Sequence, residues 1–144
     1  MKRVLVVEDS KTCAAIMTAQ LEQVFGGAEV DGTDDAQCAL LRLGTVDYDL
    51  LVLDLMLPDS PPDKTLRDFS PYMRRLPTVI VSGMRNLSGD KGPCDAELLE
   101  AAESAGANCV IPKGELSLTF LRYAVRLAFV EHKLEEMAKV AGVL

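Results

Sequence analysis

Leu50, Leu51, Val52 and Leu53 form a run with no polar position, and Asp54 follows it at once. A run apolar at every position suits a strand covered on both faces, as in a parallel sheet. The device recurs along the chain. Residues 4–7 read Val-Leu-Val-Val and end in Glu8-Asp9; residues 78–81 read Thr-Val-Ile-Val and end in Ser82. Residues 109–111 read Cys-Val-Ile and lead into Pro112-Lys113. A weaker strand is expected near residues 28–31.

Between these runs the apolar period changes to three and four, the period of a helix. Ala14, Met17, Leu21 and Val24 mark the inner face of a first helix, stopped by Gly26-Gly27. Asp34 with Gln37 reads as a capping box for a second, with Ala36, Ala39, Leu40 and Leu43 inside and Gly44 at its end. Ser60-Pro61-Pro62 opens a short third helix that buries Leu66 and Phe69, and Pro71 should limit its length. Asp95 caps a fourth, with Leu98, Leu99, Ala102 and Ala105 facing in and Gly106 closing it. A long last helix starts near Ser117. Five strand–helix units predict a doubly wound α/β fold, a five-stranded parallel sheet with helices on both faces. No internal repeat interrupts it.

The 144-residue chain carries a net charge of −7 and no basic stripe, which argues against direct nucleic-acid binding. No segment approaches the ~20 apolar residues of a membrane span, and the apolar stretch at the start is shorter than the roughly 7–15 residues of a signal peptide. Cys13, Cys38, Cys94 and Cys109 form no CxxC pair and have no histidine cluster beside them. They read as ordinary thiols of a reducing compartment, so a cytoplasmic location is expected.

In an open α/β sheet, sites form outside the carboxyl ends of the strands. Glu8, Asp9, Asp54, Ser82 and Lys113 all fall at such ends and converge on one crevice. Three carboxylates packed together repel unless a cation intervenes. Mg²⁺ suits them, because it takes oxygen ligands and accepts phosphate oxygens. Lys113 offers a point charge for a phosphoryl oxygen, and Ser82 a hydroxyl hydrogen bond. A carboxylate nucleophile, Mg²⁺ and a fixed cation are the parts needed for phosphoryl transfer to Asp54.

Val-Glu-Asp-Ser at 7–10, Asp-Leu-Met-Leu-Pro-Asp at 54–59, Val-Ser-Gly at 81–83 and Gly-Ala…Lys at 106–113 resemble, in order, the motifs of response-regulator receiver domains. The resemblance covers about residues 2–130 and implies a flavodoxin-like sheet of order 2-1-3-4-5. It implies Asp54 as phosphoacceptor, Asp9 as a direct Mg²⁺ ligand, Glu8 acting mainly through water, and the Met56 backbone carbonyl as another ligand. Ser82 and Lys113 would engage the phosphoryl group. The implied donor is a sensor histidine kinase or a histidine phosphotransfer protein. The implied role is a signalling switch in a two-component phosphorelay, not an enzyme.

Two positions and one segment depart from the family pattern. Gly114 stands where the family usually has a proline joined by a cis bond, and a non-proline cis peptide costs about 2.5–4 kcal/mol. Val110 stands where a switching aromatic is common. Residues 83–94 are longer than usual and read as an insertion beside the switch, a flexible lid. Met56 and Met84, each two positions beyond a site residue, read either as gap fillers or as a shield that prolongs the acyl phosphate.

Phe120, Tyr123, Leu127, Val130, Leu134, Met137, Ala141 and Leu144 recur at alternating threes and fours, a heptad stripe. Leu121, Ala124, Val125 and Ala128 make a second face for the sheet. Residues 1–130 are therefore expected as the domain and 131–144 as a helical extension of coiled-coil type. The stripe predicts a parallel homodimer, and the extension resembles linkers to downstream output modules. Competing readings are a receiver-like scaffold that takes no phosphate, and a Mg²⁺-dependent small-molecule phosphatase. The latter needs a DxD motif after the first strand, where Glu8-Asp9-Ser10 stands instead. A nucleotide or flavin module lacks its Gly-rich loop there.

Overall fold

The computed structural model describes residues 1–142. Five strands alternate with five helices: β1 (Lys2–Val7), α1 (Lys11–Phe25), β2 (Ala28–Thr33), α2 (Ala36–Thr45), β3 (Leu50–Leu53), α3 (Pro62–Met73), β4 (Thr78–Ser82), α4 (Ala96–Ala105), β5 (Cys109–Pro112) and α5 (Leu118–Val140). All neighbouring strands pair in parallel, in the order β2-β1-β3-β4-β5. The expected doubly wound architecture is present.

The unbroken apolar runs divide by the two-residue period of a strand. Leu5, Val7, Leu51, Leu53 and Ile80 point to one face, where they pack with Ala39, Phe69, Met73, Leu98 and Ala102 of α2, α3 and α4. Val4, Val6, Leu50, Val52, Val79 and Val81 point to the other, against Met17 and Leu21 of α1 and Leu121, Ala124, Val125 and Ala128 of α5. Both faces of the central strands are dry, so polar side chains can occur only at the strand ends. That restriction places the site.

Helix starts are fixed by side chains. Ser10, Asp35, Asp95 and Ser117 accept from the amides of Cys13, Cys38, Leu98 and Phe120. The second helix is therefore capped by Asp35, not by Asp34. The Gln37 amide is bound instead to Asp59, at 3.0 Å, and α2 runs one residue past Gly44, to Thr45. Pro71 lies inside α3, which continues to Met73. The missing amide falls in the last turn, where Phe69 and Met73 are both in the core, and their burial outweighs one lost bond. Leu99 is 42% exposed, not internal, because α4 turns Leu98 and Ala102 to the core and leaves residue 99 about 100° away. Gly106 ends α4 at φ 114°, and a Cβ there would meet the Arg74 amide nitrogen at 3.2 Å. Only glycine satisfies both demands.

α5 is one unbroken helix of 23 residues, about 34 Å long at 1.5 Å per residue. Phe120, Tyr123, Leu127, Val130, Leu134 and Met137 lie exposed along it, on the side away from the sheet. Of the rest of the heptad stripe, Ala141 is the exposed C-cap residue and Leu144 lies outside the described residues.

Candidate functional site

The crevice forms where β1 and β3, side by side at the centre of the sheet, release their chains in opposite directions. Glu8 leaves β1 and Asp54 leaves β3. Backbone bonds hold them in step: the Asp54 amide donates to the Val7 carbonyl at 2.9 Å, and the Glu8 amide to the Thr33 carbonyl at 3.0 Å. Both side chains are almost wholly buried, Glu8 at 2% and Asp54 at 1% exposure. Asp9 is exposed at the rim. Oxygens of Glu8, Asp9 and Asp54 lie within 4.8 Å of one another.

Lys113 enters from the far edge of the cluster, beyond β5, in a single 3-10 turn of residues Lys113–Glu115. Its Nζ donates to Glu8 Oε1 at 2.7 Å and to Asp54 Oδ2 at 3.1 Å. The other Asp54 oxygen accepts from the Met56 amide at 3.0 Å. Both oxygens of the Asp54 carboxylate are thus held. Glu8 Oε1 also accepts from the Ser10 amide at 3.3 Å, whereas Glu8 Oε2 is buried without a partner.

Electrostatics follow from this crowding. Burial, together with the neighbouring Asp54, pushes the Glu8 carboxyl up to about 7, although Lys113 opposes the rise. Burial of Lys113 works to lower its pKa, but its bonds and charge pairs with Glu8 and Asp54 outweigh that and hold it above the ordinary lysine value. Lys113 therefore stays charged through the physiological range. One cation faces three carboxylates. The clustered oxygens of Glu8, Asp9 and Asp54, with one Glu8 oxygen unpartnered, form a donor set suited to a hard divalent cation.

Ser82 ends β4 and pairs in register with Pro112, the residue before Lys113. Its Oγ is buried and accepts from the Met84 amide at 3.1 Å. Ser82 and Lys113 line a cavity of about 390 Å³ together with Gly83, Gly92, Pro93, Pro112, Gly114 and Glu115. A larger cavity of about 670 Å³ lies between α4, β5 and α5, and none of the five polar residues lines it. The chemistry, not the volume, marks the site.

Residues 83–94, expected as a flexible lid, are bonded largely to one another. Met84 bridges Lys91, Arg85 exchanges backbone bonds with Asp90 and Asp95, and the Cys94 thiol donates to the Met84 carbonyl at 3.3 Å. Met84 is fully buried in the α2–α4 core and anchors this self-bonded loop. Met56 stays at the rim, 38% exposed. The two methionines line one shallow pocket together, Met84 from the core and Met56 from the rim. Every peptide bond of the described residues is trans, including Lys113–Gly114.

No family model matches the chain, and no curated protein matches it. Solved structures do. It is similar to the signal receiver domain of a LuxO repressor protein from Vibrio parahaemolyticus, with a TM-score of 0.74 at 20% identity over 95% of this chain and 96% of that one. A CheY-like response-regulator receiver domain from Methanospirillum hungatei JF-1 gives 0.70 at 22% identity, covering 94% and 98%. The signal receiver domain of a modulated diguanylate cyclase from Desulfovibrio desulfuricans G20 gives 0.73 at 23%, covering 94% and 98%.

The chain has the receiver-domain fold.

At these identities the likeness concerns the fold. In this fold Lys113 contacts Glu8 and Asp54 directly, Asp9 lies within 4.8 Å of both carboxylates at the rim, and Ser82 and Lys113 line one cavity. The sequence reading gave Asp59 no role, although it lies in the motif at 54–59. Its carboxylate accepts from the amides of both Ala36 and Gln37, at 2.8 and 3.0 Å. No local pattern marks that contact, because the partners are 23 and 22 residues apart.

Proposed function

We propose that this chain is a phosphoryl-accepting signalling switch whose acceptor is Asp54. The observation that carries the reading is the Lys113 ammonium shared between two buried carboxylates from separate strands. A buried ion cluster with an orphaned oxygen is a poor way to gain stability. It is a good way to receive a charged group. In the proposed step an Asp54 oxygen attacks the phosphorus of a donor, the donor's leaving group departs with its bonding electrons, and an acyl phosphate remains. The donor is a phosphohistidine on a sensor kinase or on a histidine phosphotransfer protein.

Each residue has a stated part. The Met56 amide and Lys113 aim the Asp54 carboxylate. Glu8, Asp9, Asp54 and the Met56 carbonyl would hold Mg²⁺, which would neutralise charge on the incoming phosphoryl oxygens. Lys113 pairs with one of those oxygens, and Ser82 donates to another. The output is an altered surface rather than a released product, so the chain is not an enzyme in the ordinary sense. Its place is the cytoplasm, beside its kinase. No helix of the described residues is long and apolar enough to cross a membrane.

The partner surface is α5. Written as a heptad, Phe120, Leu127 and Leu134 take the a positions and Tyr123, Val130 and Met137 the d positions. Arg126 then falls at g and Glu131 at the following e. A parallel homodimer sets Arg126 against Glu131 of a second copy, twice by symmetry; an antiparallel one sets like charges together. Residues 131–144 extend this seam beyond the 1–130 domain, toward an output module. Arg126→Glu should shift the sedimenting species toward monomer, and adding Glu131→Arg should restore the dimer.

The central test is incubation with acetyl phosphate and Mg²⁺, read by intact mass. The expected gain is one phosphoryl group, absent in Asp54→Asn and absent without Mg²⁺. A chain that never gains it is a receiver-like scaffold and no more.

A further inference from the structure

Resting on the acceptor reading, we infer that Asp59 is a positioning residue that holds the acceptor carboxylate through the Met56 peptide. Asp59 sits at the end of the loop that starts at Asp54. Its two oxygens take the amides of Ala36 and Gln37, the first two of α2. The third, Cys38, is taken by Asp35 at 2.7 Å. One helix start is thus capped twice, once from its own chain segment and once from across the crevice. A single cap suffices to begin a helix. The second capping group has a different consequence: it fixes the loop that carries it.

The loop is short and tied at every point. Leu55 and Leu57 are buried, the Ser60 amide donates to the Leu57 carbonyl at 3.4 Å, and the buried Ser60 and Thr65 hydroxyls are 2.7 Å apart. Between these anchors lies Met56, whose amide holds Asp54 Oδ1. The far side is tied as well, since Thr33, just before α2, accepts from the Glu8 amide. Glu8, α2, Asp59, Met56 and Asp54 therefore form one closed ring of bonds around the acidic cluster. Among the described residues, Asp59 alone hydrogen-bonds α2 to the acceptor loop through its side chain. The Ala36 amide most of all, with the Gln37 amide, Asp59's own amide and Lys64, holds its carboxyl below the usual carboxylate range against some burial, so it stays an acceptor of both bonds near neutral pH.

The test compares the full chain with Asp59→Ala, Asp59→Asn and Asp35→Ala. Asp35→Ala removes a cap from the same helix but leaves the acceptor loop untouched. Two quantities are read on metal-free and titrated protein: hydrogen exchange at the Met56 amide, and Mg²⁺ affinity by calorimetry. Asp59→Ala should speed Met56 exchange and weaken Mg²⁺ binding roughly tenfold, the lower range for residues that orient metal ligands. Asp59→Asn keeps one acceptor oxygen and should fall between, which preserves the comparison if the alanine variant folds poorly. Asp35→Ala should melt earlier yet exchange and bind as the unaltered protein does. Equal effects of Asp35→Ala and Asp59→Ala would reduce Asp59 to a plain helix cap and overturn the inference. If the unaltered protein binds no Mg²⁺, the acceptor reading fails, and Met56 exchange alone then decides whether the clamp exists.

Discussion

The two ends of the sheet treat charge in opposite ways. Near the N-terminal ends of β1 and β3, Asp31 accepts from Tyr48 Oη at 2.7 Å and from Arg3 at 3.2 and 3.3 Å, with Arg42 at 3.6 Å. Arg3 and Asp49 exchange backbone and side-chain bonds, and the Arg3 guanidinium lies over the Tyr48 ring. The Tyr48 hydrogen bond, aided by Arg3 and Arg42 against some burial, holds the Asp31 carboxyl below its usual range. At the other end, burial and Asp54 push Glu8 up, and one oxygen has no partner. The first cluster is balanced and finished. The second lacks positive charge. A protein of this size keeps such a deficit where something charged is to arrive.

That contrast can be broken at several points. The largest effect is expected at Lys113. Lys113→Ala leaves two buried acids without their cation and should cost about 2 kcal/mol in metal-free buffer, a figure discounted from the roughly 3–5 of full burial because the side chain is 27% exposed. It should also abolish phosphate uptake. Denaturant unfolding and intact mass read the two losses, and a variant as stable as the parent would mean that the acidic end is no liability.

Asp31→Ala comes next, at about 1.5 kcal/mol, because it strands the Tyr48 hydroxyl and two guanidinium groups. Here the informative measurement is phosphorylation, which should proceed at the parental rate. A slowed rate would couple the two ends and dissolve the comparison.

Mg²⁺ sharpens it further. A cation that binds only the folded protein adds about 1.4 kcal/mol at ten times its Kd. Melting temperature should therefore rise with Mg²⁺ in the parent and in Asp31→Ala alike, and much less in Asp54→Asn. An equal rise in all three would place the ion elsewhere.

The smallest effect is acid lability. A carboxyl lowered by folding binds fewer protons in the native than in the unfolded state. Its stabilisation is present above the ordinary value of 3.8 and is lost as pH falls through the lower native value. Asp31→Asn should flatten the stability profile below that pH, as read by urea unfolding. A profile unchanged by the substitution would show that Asp31 does not govern the acid limb.

Much of the molecule was legible before the fold was seen, for reasons that particular residues make plain. The all-apolar run at 50–53 admits no exposed face, so a central parallel strand and a polar residue at its end followed together. Asp95 and Ser117 announced their helices because capping is local. Where two local signals competed, reading failed: Asp34 with Gln37 looked like a capping box, but Asp35 reached the open amide. Pro71 looked like a stop, but Phe69 and Met73 carried the helix past it. The bonding within 83–94 was illegible for a different reason. The segment's length read as an insertion, while the buried anchor Met84 is visible only once the α2–α4 core has closed around it.

By itself, the sequence determined the order of strands and helices, the two dry faces of the sheet, and which polar residues stand at strand ends. Those depend on period and on capping, which act over a few residues. Only the tertiary structure decided that Lys113 is shared by Glu8 and Asp54 across 105 and 59 positions, that one Glu8 oxygen is left bare, and that Asp59 closes on α2. Hydrogen bonds of that kind need angles and distances that no spacing along the chain encodes, since they exist only after packing has set the strand ends side by side.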